Sequence, residues 1–189
     1  MRSIKWKDSQ AHRCEIYLRP MEITDTDLIV SWRNKDSVRN HFIYREPFTK
    51  EGHLNWIHTQ IEPGHVVQFM IYEASAGRAV GSVYLRDIDR EKGVAEYGVF
   101  IGEEDALGKG YGTQAAKLVL TYAYEELNLK SVFLRVFADN MRARRSYEKA
   151  GFRQLMVKQE NVVIDGVEKE VVFYELHLES RKLSRDEEI

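Results

Sequence analysis

The sequence is poor in residues that staple or ligate. Cys14 is its only cysteine, so no intrachain disulfide can form. Nothing beside that thiol marks it as a nucleophile, and it reads as a packing or surface residue. The six histidines are dispersed and no Cys/His cluster has zinc spacing, so no metal is expected. No apolar run approaches the length of a membrane span. The opening Met1-Arg2-Ser3-Ile4-Lys5-Trp6-Lys7-Asp8 lacks the apolar stretch of a signal peptide. The formal net charge is only −2 and the basic residues are scattered, so no nucleic-acid or membrane partner is expected. There is no internal repeat, low-complexity segment or Pro/Gly-rich linker. These absences point to a cytoplasmic protein.

What is present suffices for one core: 43% of the 189 residues are apolar. A single domain over 1–189 is expected, with 1–13 as an N-terminal extension and 180–189 as a charged tail that frays. Glu15 to Arg19 reads as a first strand ended by Pro20. Thr24 or Asp25 can cap a helix running to about Asn34, and Asn34 to Phe48 is a connection rich in aromatics and arginine. Thr49 caps a second helix, with Leu54, Ile57 and Ile61 at helical spacing and Pro63-Gly64 as its stop. Val66 to Glu73, Ala79 to Asp87 and Ala95 to Ile101 read as strands, the last apolar on both faces and therefore central. A strongly patterned helix follows, with Ala116, Val119, Leu120, Ala123, Tyr124 and Leu127 on one face and Asn128 as a stop. Ser131 to Ala138 is a strand. Asp139 caps a short helix with Ala143, Tyr147 and Ala150 inward and Gly151 at its end. Two strands, near Phe152 to Val163 and Glu168 to Leu178, are joined by the hairpin signal Asp165-Gly166. The order is βααβββαβαββ.

The most informative segment is Leu107-Gly108-Lys109-Gly110-Tyr111-Gly112-Thr113, set between the fourth strand and the patterned helix. Glycines let the backbone adopt positive φ and approach a ligand. The first N–H groups of the helix have no internal partner, and the helix dipole adds partial positive charge there. Together they make a phosphate cradle, although a glycine loop alone is equally compatible with a tight turn that binds nothing.

The element order and this loop resemble the GNAT family of acetyl-CoA-dependent N-acetyltransferases, over about Ile16 to Leu178. The family signature Gln/Arg-x-x-Gly-x-Gly/Ala is matched by Leu107 to Gly112, with Leu107 in place of the polar first residue. A second signature, Asn-x-x-Ala-x-x-x-Tyr-x-x-x-Gly-Phe, is matched by Asn140, Ala143, Tyr147, Gly151 and Phe152. The resemblance implies an α/β fold of α+β type: a central mixed, mostly antiparallel sheet with splayed fourth and fifth strands and helices on both faces. It implies acetyl-CoA as cofactor, released as coenzyme A. The pyrophosphate would rest on Leu107, Gly108, Lys109, Gly110, Tyr111, Gly112 and Thr113, and the pantetheine arm on Asn140. A backbone N–H near Val99, Phe100 or Ile101 would serve the acetyl oxygen. Tyr147 stands at the family's general-acid position, the alternative being a core tyrosine. Glu96 is the leading base, because a carboxylate on so apolar a strand is costly unless hydrated or paired; the alternative is a structural salt bridge. Arg142 and Arg145 crowd the last helix and could reach the coenzyme's ribose phosphate.

The acceptor is expected to be a small-molecule amine. Trp32-Arg33-Asn34, Val38-Arg39 and Glu51-Gly52-His53-Leu54-Asn55-Trp56 resemble the acetyltransferases of nonulosonic (pseudaminic-type) acid synthesis, which act on the 4-amino group of a UDP-linked amino sugar. Arg33 and Arg39 could then pair with a diphosphate. Trp32, Trp56, Phe42 and Tyr44 could stack on uracil or sugar, Asn34 could contact the same substrate, and His53 could hydrogen-bond the sugar. Core packing for the tryptophans, a structural ion pair for Arg33 and a helix-surface place for His53 are the alternatives. The C-terminal hairpin instead resembles relatives that acetylate ribosomal-protein N-termini or polyamines. A polyamine site needs acidic residues, which Glu22, Asp25, Asp27, Asp36, Glu46 and Glu51 could supply. A non-catalytic acetyl-CoA sensor is the reading of another class. A dinucleotide-binding domain conflicts with the element order. A monomer or homodimer is expected.

Overall fold

The computed structural model describes residues 15–178; Cys14, the N-terminal extension and the charged tail lie outside the described residues. The elements are β1 (Ile16–Pro20), α1 (Thr26–Asn34), α2 (Asp36–Arg39), α3 (Lys50–Trp56), β2 (Val67–Glu73), β3 (Arg78–Asp89), β4 (Val94–Ile101), α4 (Tyr111–Glu125), β5 (Ser131–Phe137), α5 (Met141–Ala150), β6 (Arg153–Ile164) and β7 (Val167–His177). The expected order holds, with two additions. The single turn α2 sits inside the aromatic connection, too short to show an apolar period. The second helix continues past α3 as a π-helical turn, Ile57–Ile61, closed by the i→i+5 bond from Glu62 N–H to Ile57 C=O. Apolar spacing cannot separate that turn from an α-helix.

The seven strands form one sheet in the order β1-β2-β3-β4-β5-β7-β6. All neighbours are antiparallel except β4 and β5, which run parallel. That parallel pairing covers only Val94↔Ser131, Ala95↔Val132 and Glu96↔Phe133. Beyond it β4 stays paired with β3 as far as Ile101, and β5 with β7 as far as Phe137. The sheet therefore opens between its two central strands.

Both faces are covered. Ala115, Ala116, Leu118, Val119, Leu120 and Ala123 of α4 are buried against the residues of one face, among them Val83, Leu85, Ala95 and Tyr97. Burying each leucine there contributes about 1.5–3 kcal/mol. The opposite face carries a smaller cluster in which Ile29 and Trp32 of α1 meet Val38, Met70 and Phe100.

Caps explain most boundaries. Thr49 Oγ1 accepts from Gly52 N–H at 3.0 Å and starts α3. Gly151, at φ 103°, ends α5, and Asn128, at φ 53°, turns the chain after α4. Asp165 and Gly166 both have positive φ, 53° and 77°, as a type I′ hairpin turn requires. Two expected caps move. Asp25 turns back instead, accepting from Glu22 N–H at 2.8 Å and pairing with Arg19 at 2.6 Å. The cap of α5 is Asn140, whose Oδ1 accepts from Ala143 N–H at 3.2 Å, while Asp139 pairs with Lys169 at 3.1 Å.

His53 faces inward from α3, only 1% exposed. Its Nδ1 lies 3.1 Å from Thr26 Oγ1 on α1, and its ring packs on Phe48. Burial, aided by the nearby Arg33 charge and opposed by Asp25, holds the ring neutral, with a pKa lowered to about 4. The unfolded chain takes up this proton near pH 6.5, the folded chain only near 4. Between those values acid favours the unfolded state. The expected outcome is a fall in stability of up to about 2 kcal/mol from pH 6.5 to pH 5, measured by urea denaturation. His53→Gln should flatten that slope; an unchanged slope would refute the assignment.

Candidate active site

The opening between β4 and β5 leads into a cleft of about 460 Å³. Its base is the glycine loop. Gly108 and Gly110 have φ 78° and 80°, a region that costs an L-residue roughly 1–2 kcal/mol, and nothing stands within 4 Å of where a Cβ would lie on either. The backbone is bare where these glycines line the cleft. The first bond inside α4 runs from Gln114 N–H to Gly110 C=O at 3.0 Å, so the N–H groups of Tyr111, Gly112 and Thr113 point out of the helix start. Leu107, Gly108, Gly110, Tyr111, Gly112 and Thr113 all line the cleft.

Lys109 does not. Its ammonium turns to Glu73 Oε1, 3.2 Å away at the end of β2. Glu73 is the post to which the loop is tied: it also accepts from the Tyr111 hydroxyl at 2.6 Å and from Arg78 Nε at 3.0 Å. These three donors, Tyr111 foremost, hold its carboxyl down at about 2. On the other side Thr113 Oγ1 meets Ser146 Oγ of α5 at 2.8 Å.

β4 supplies the wall. Gly102 N–H donates to Val80 C=O, and the ladder is unbroken from Gly81↔Ile101 to Arg86↔Glu96. Alternation along an antiparallel pair directs the N–H of Phe100 at β3 and turns those of Val99 and Ile101 toward the gap that β5 has left. Val99 and Ile101 can therefore serve an oxyanion. Phe100 cannot do so through its own N–H; its ring packs edge-on to Trp32 and Phe42.

The strand also sorts side chains. Tyr97 faces α5, where Tyr147 meets it edge-on at 5.9 Å and 88°, with Phe152 and Tyr174 completing an aromatic cage. Burial, and secondarily Tyr84, raises the Tyr147 hydroxyl above the usual phenol range, so it keeps its proton at the cleft wall. Glu96 lies on the other face, beside Gly98. Its Oε1 accepts from Arg86 Nη2 at 2.9 Å and Arg135 Nε at 3.2 Å. Gly98 is required there because the Tyr84 ring lies across it: a Cβ would fall 2.3 Å from Tyr84 Cζ.

Residues 15–153 match the acetyltransferase (GNAT) domain family. This chain belongs to the GNAT family. It is 34% identical over 162 residues to the probable N-acetyltransferase YjcK of Bacillus subtilis, covering 80% of this chain and 88% of that protein. It is 32% identical over 142 residues to the spermidine N(1)-acetyltransferase of Escherichia coli, covering 72% of each. Its fold matches the crystal structure of Vibrio cholerae spermidine N-acetyltransferase in complex with CoA and spermine, with a TM-score of 0.77 at 22% identity, over 87% of this chain and 96% of that one. The GNAT chain is thus an acetyl-CoA-dependent N-acetyltransferase. These relatives are named for spermidine or for N-acetyl transfer alone, not for a nucleotide sugar.

The family frame shows which expected site residues meet. Tyr147, Glu96, Asn140, Arg142 and Arg145 line the cleft with the loop and β4. Asn140 spends its Oδ1 on capping α5, leaving Nδ2, 3.4 Å from His41 Nδ1. Six of the residues expected around an amino sugar do not line the cleft. Trp32 is 1% exposed and donates from Nε1 to Glu103 at 2.6 Å. Arg33 lies under the ring of Phe42 at 3.3 Å. Asn34 bonds both backbone groups of Phe48. Arg39 pairs with Asp36 at 2.9 Å, His53 is buried, and Trp56 is half-buried on α3. Phe42 and Tyr44 do reach the cleft. Sequence reading missed Tyr84, Arg86, Arg135 and Glu73. The available signal was the one used for Glu96, a polar residue recurring within an apolar strand.

Glu73 touches no ligand site itself, so it is a positioning residue. Glu73→Ala should raise the KM for acetyl-CoA about 10-fold, the scale of a lost buried hydrogen bond, with kcat nearly unchanged. Glu73→Gln, still able to accept from Tyr111, should recover much of the loss. A fall in kcat at constant KM would show that the loop does not depend on it.

Proposed function

We propose that this enzyme transfers acetyl from acetyl-CoA directly to a small primary amine held on the Glu96 side of β4. The observation that carries the reading is the opening of the sheet beyond Glu96↔Phe133, lined by the glycine loop at one end and Tyr147 on one wall. The acyl group would sit in the gap with its oxygen on the N–H of Val99 or Ile101. The pyrophosphate would take the N–H groups of Gly108 to Thr113, and Arg142 and Arg145 would meet the coenzyme's remaining phosphate. The amine attacks, its N–C bond forms, and the C–S bond breaks. The nitrogen gives up one proton, which Glu96 takes through water and returns to solvent, and the departing thiolate takes one proton from solvent.

Tyr147 donates a hydrogen bond to that sulfur. A thiol titrates near 8.5 and Tyr147 well above that, so the phenol stabilises the thiolate as it forms rather than yielding its proton outright. Glu96 receives the amine's proton through water: Oε1 is taken by two arginines, and Oε2 has only a long contact of 3.5 Å to Arg135. For the acceptor, the 32%-identical relative supports spermidine as the first compound to assay.

The test is mass-spectrometric detection of acetylated product from acetyl-CoA, over spermidine, N-terminal peptides and a UDP-linked 4-amino sugar. Product from any of them supports the reading. Retained acetyl-CoA binding with no product from any amine would favour a sensor module instead. Tyr147→Phe should lower kcat by about 10²-fold or more with a small change in the KM for acetyl-CoA; unchanged kcat would remove Tyr147 from the mechanism.

A further inference from the structure

The cleft is lopsided in charge. One carboxylate, Glu96, lines it, against Arg86, Arg135, Arg142, Arg145 and Lys149. The last three stand on α5 beside the glycine loop and suit the coenzyme's phosphates. Arg86 on β3 and Arg135 on β5 do not, because they flank Glu96 on the acceptor side. Their side chains are only 22% and 19% exposed. Their other acidic contacts sit on the rim, outside the lining: Asp87 at 3.5 Å from Arg86 and Glu160 at 3.4 Å from Arg135. Near Arg86 lies Arg33, whose Nη1 is buried with no hydrogen-bond partner among the described residues and whose guanidinium faces the Phe42 ring. Two guanidinium groups thus grip one inner carboxylate, and a third stands near one of them.

The acidic residues that a polycation would need are elsewhere. Glu22 and Asp25 pair with Arg19, Asp27 with Lys50, and Asp36 with Arg39. Neither Glu46 nor Glu51 lines the cleft. A polyamine entering here would meet focused positive potential. A guanidinium fork, by contrast, matches a carboxylate or phosphate in shape and charge, and Nη1 of Arg86 has no acceptor among the described residues.

We propose that the acceptor amine carries a carboxylate or phosphate group, which docks on Arg86 and Arg135 while Glu96 holds both guanidinium groups in place. This rests on the acetyltransferase reading above. Tyr84 and Phe42, which line the same wall, give the acceptor's body an aromatic surface.

Steady-state kinetics of the full chain with acetyl-CoA would compare four amines: spermidine, a neutral alkyl amine, a short peptide or amino acid with a free carboxylate, and a phosphate-bearing amine such as a UDP-linked 4-amino sugar. The expected result is a kcat/KM at least about 10-fold higher for one of the anionic amines, and which one identifies the source of the anion. Arg135→Gln and Arg86→Gln should raise the KM for that amine about 10-fold or more while the KM for acetyl-CoA holds, and Arg86→Lys should restore part of it. If the variants fail to fold, salt dependence of the intact enzyme decides: added KCl should weaken use of the anionic amine. Preference for spermidine, or equal losses on all four amines, overturns the proposal. No product from any amine overturns the acetyltransferase reading and the proposal with it.

Discussion

The site depends on two central strands that start as neighbours and do not remain so. Three paired positions join β4 to β5, after which each strand follows its outer partner. An unpaired backbone N–H costs about 1–3 kcal/mol when kept from water and from acceptors, so a sheet opens at its centre only where something else will occupy those groups. Here the outer ladders are long. β4 keeps β3 to Gly81↔Ile101, and β5 keeps β7 over seven positions. That anchoring keeps the gap from closing and leaves the N–H groups of Val99 and Ile101 facing it. An acyl oxygen is the occupant proposed above.

The two-residue period of β4 then divides the chemistry. Tyr97 goes to the α5 side, into the cage that holds Tyr147. Glu96 and Gly98 go to the other, where Tyr84 lies over the glycine and two arginines grip the carboxylate. The Tyr147 hydroxyl and the Glu96 carboxylate therefore line one cleft from opposite faces of β4. The glycine loop is held from two directions, by Glu73 on β2 and by Ser146 on α5. Its position is thus set by the sheet as much as by its own glycines.

What sequence could tell divides along the same line. The loop, the α5 signature and Tyr147 are local: their spacing along the chain is their geometry in space. The acceptor wall is assembled from β3, β4, β5 and the 34–48 connection, so its partners become neighbours only through strand order. Trp32 and Arg33 show the difference. Their types suggested a ligand, yet Ile29 and Trp32 stand three apart on the apolar stripe of α1 and must face the sheet, where Trp32 covers Gly102 so closely that a Cβ there would fall 2.2 Å from its ring. Arg33 is fixed by Phe42 and Phe48, at 3.3 and 5.0 Å, in a loop with no periodicity to read. The cost of burying charge, which singled out Glu96, applied equally to Arg86 and Arg135 and would have found the cluster once the strands were aligned.

Arg33 also explains how the wall keeps its sign. Burial lowers its pKa, but arginine starts so far above neutrality that it stays charged. With no ion-pair partner among the described residues, it is accommodated by aromatic faces and by the loop that Asn34 ties back through Phe48. The ring that covers it, Phe42, is part of the cleft surface. Shape and charge on the acceptor side are therefore one construction: moving the loop would uncover a cation, and neutralising the cation would loosen the loop. A fold shared with an enzyme solved with spermine, at 22% identity, does not carry that enzyme's amine over to this chain. On β3 and β5 this chain carries arginines that share the Glu96 carboxylate.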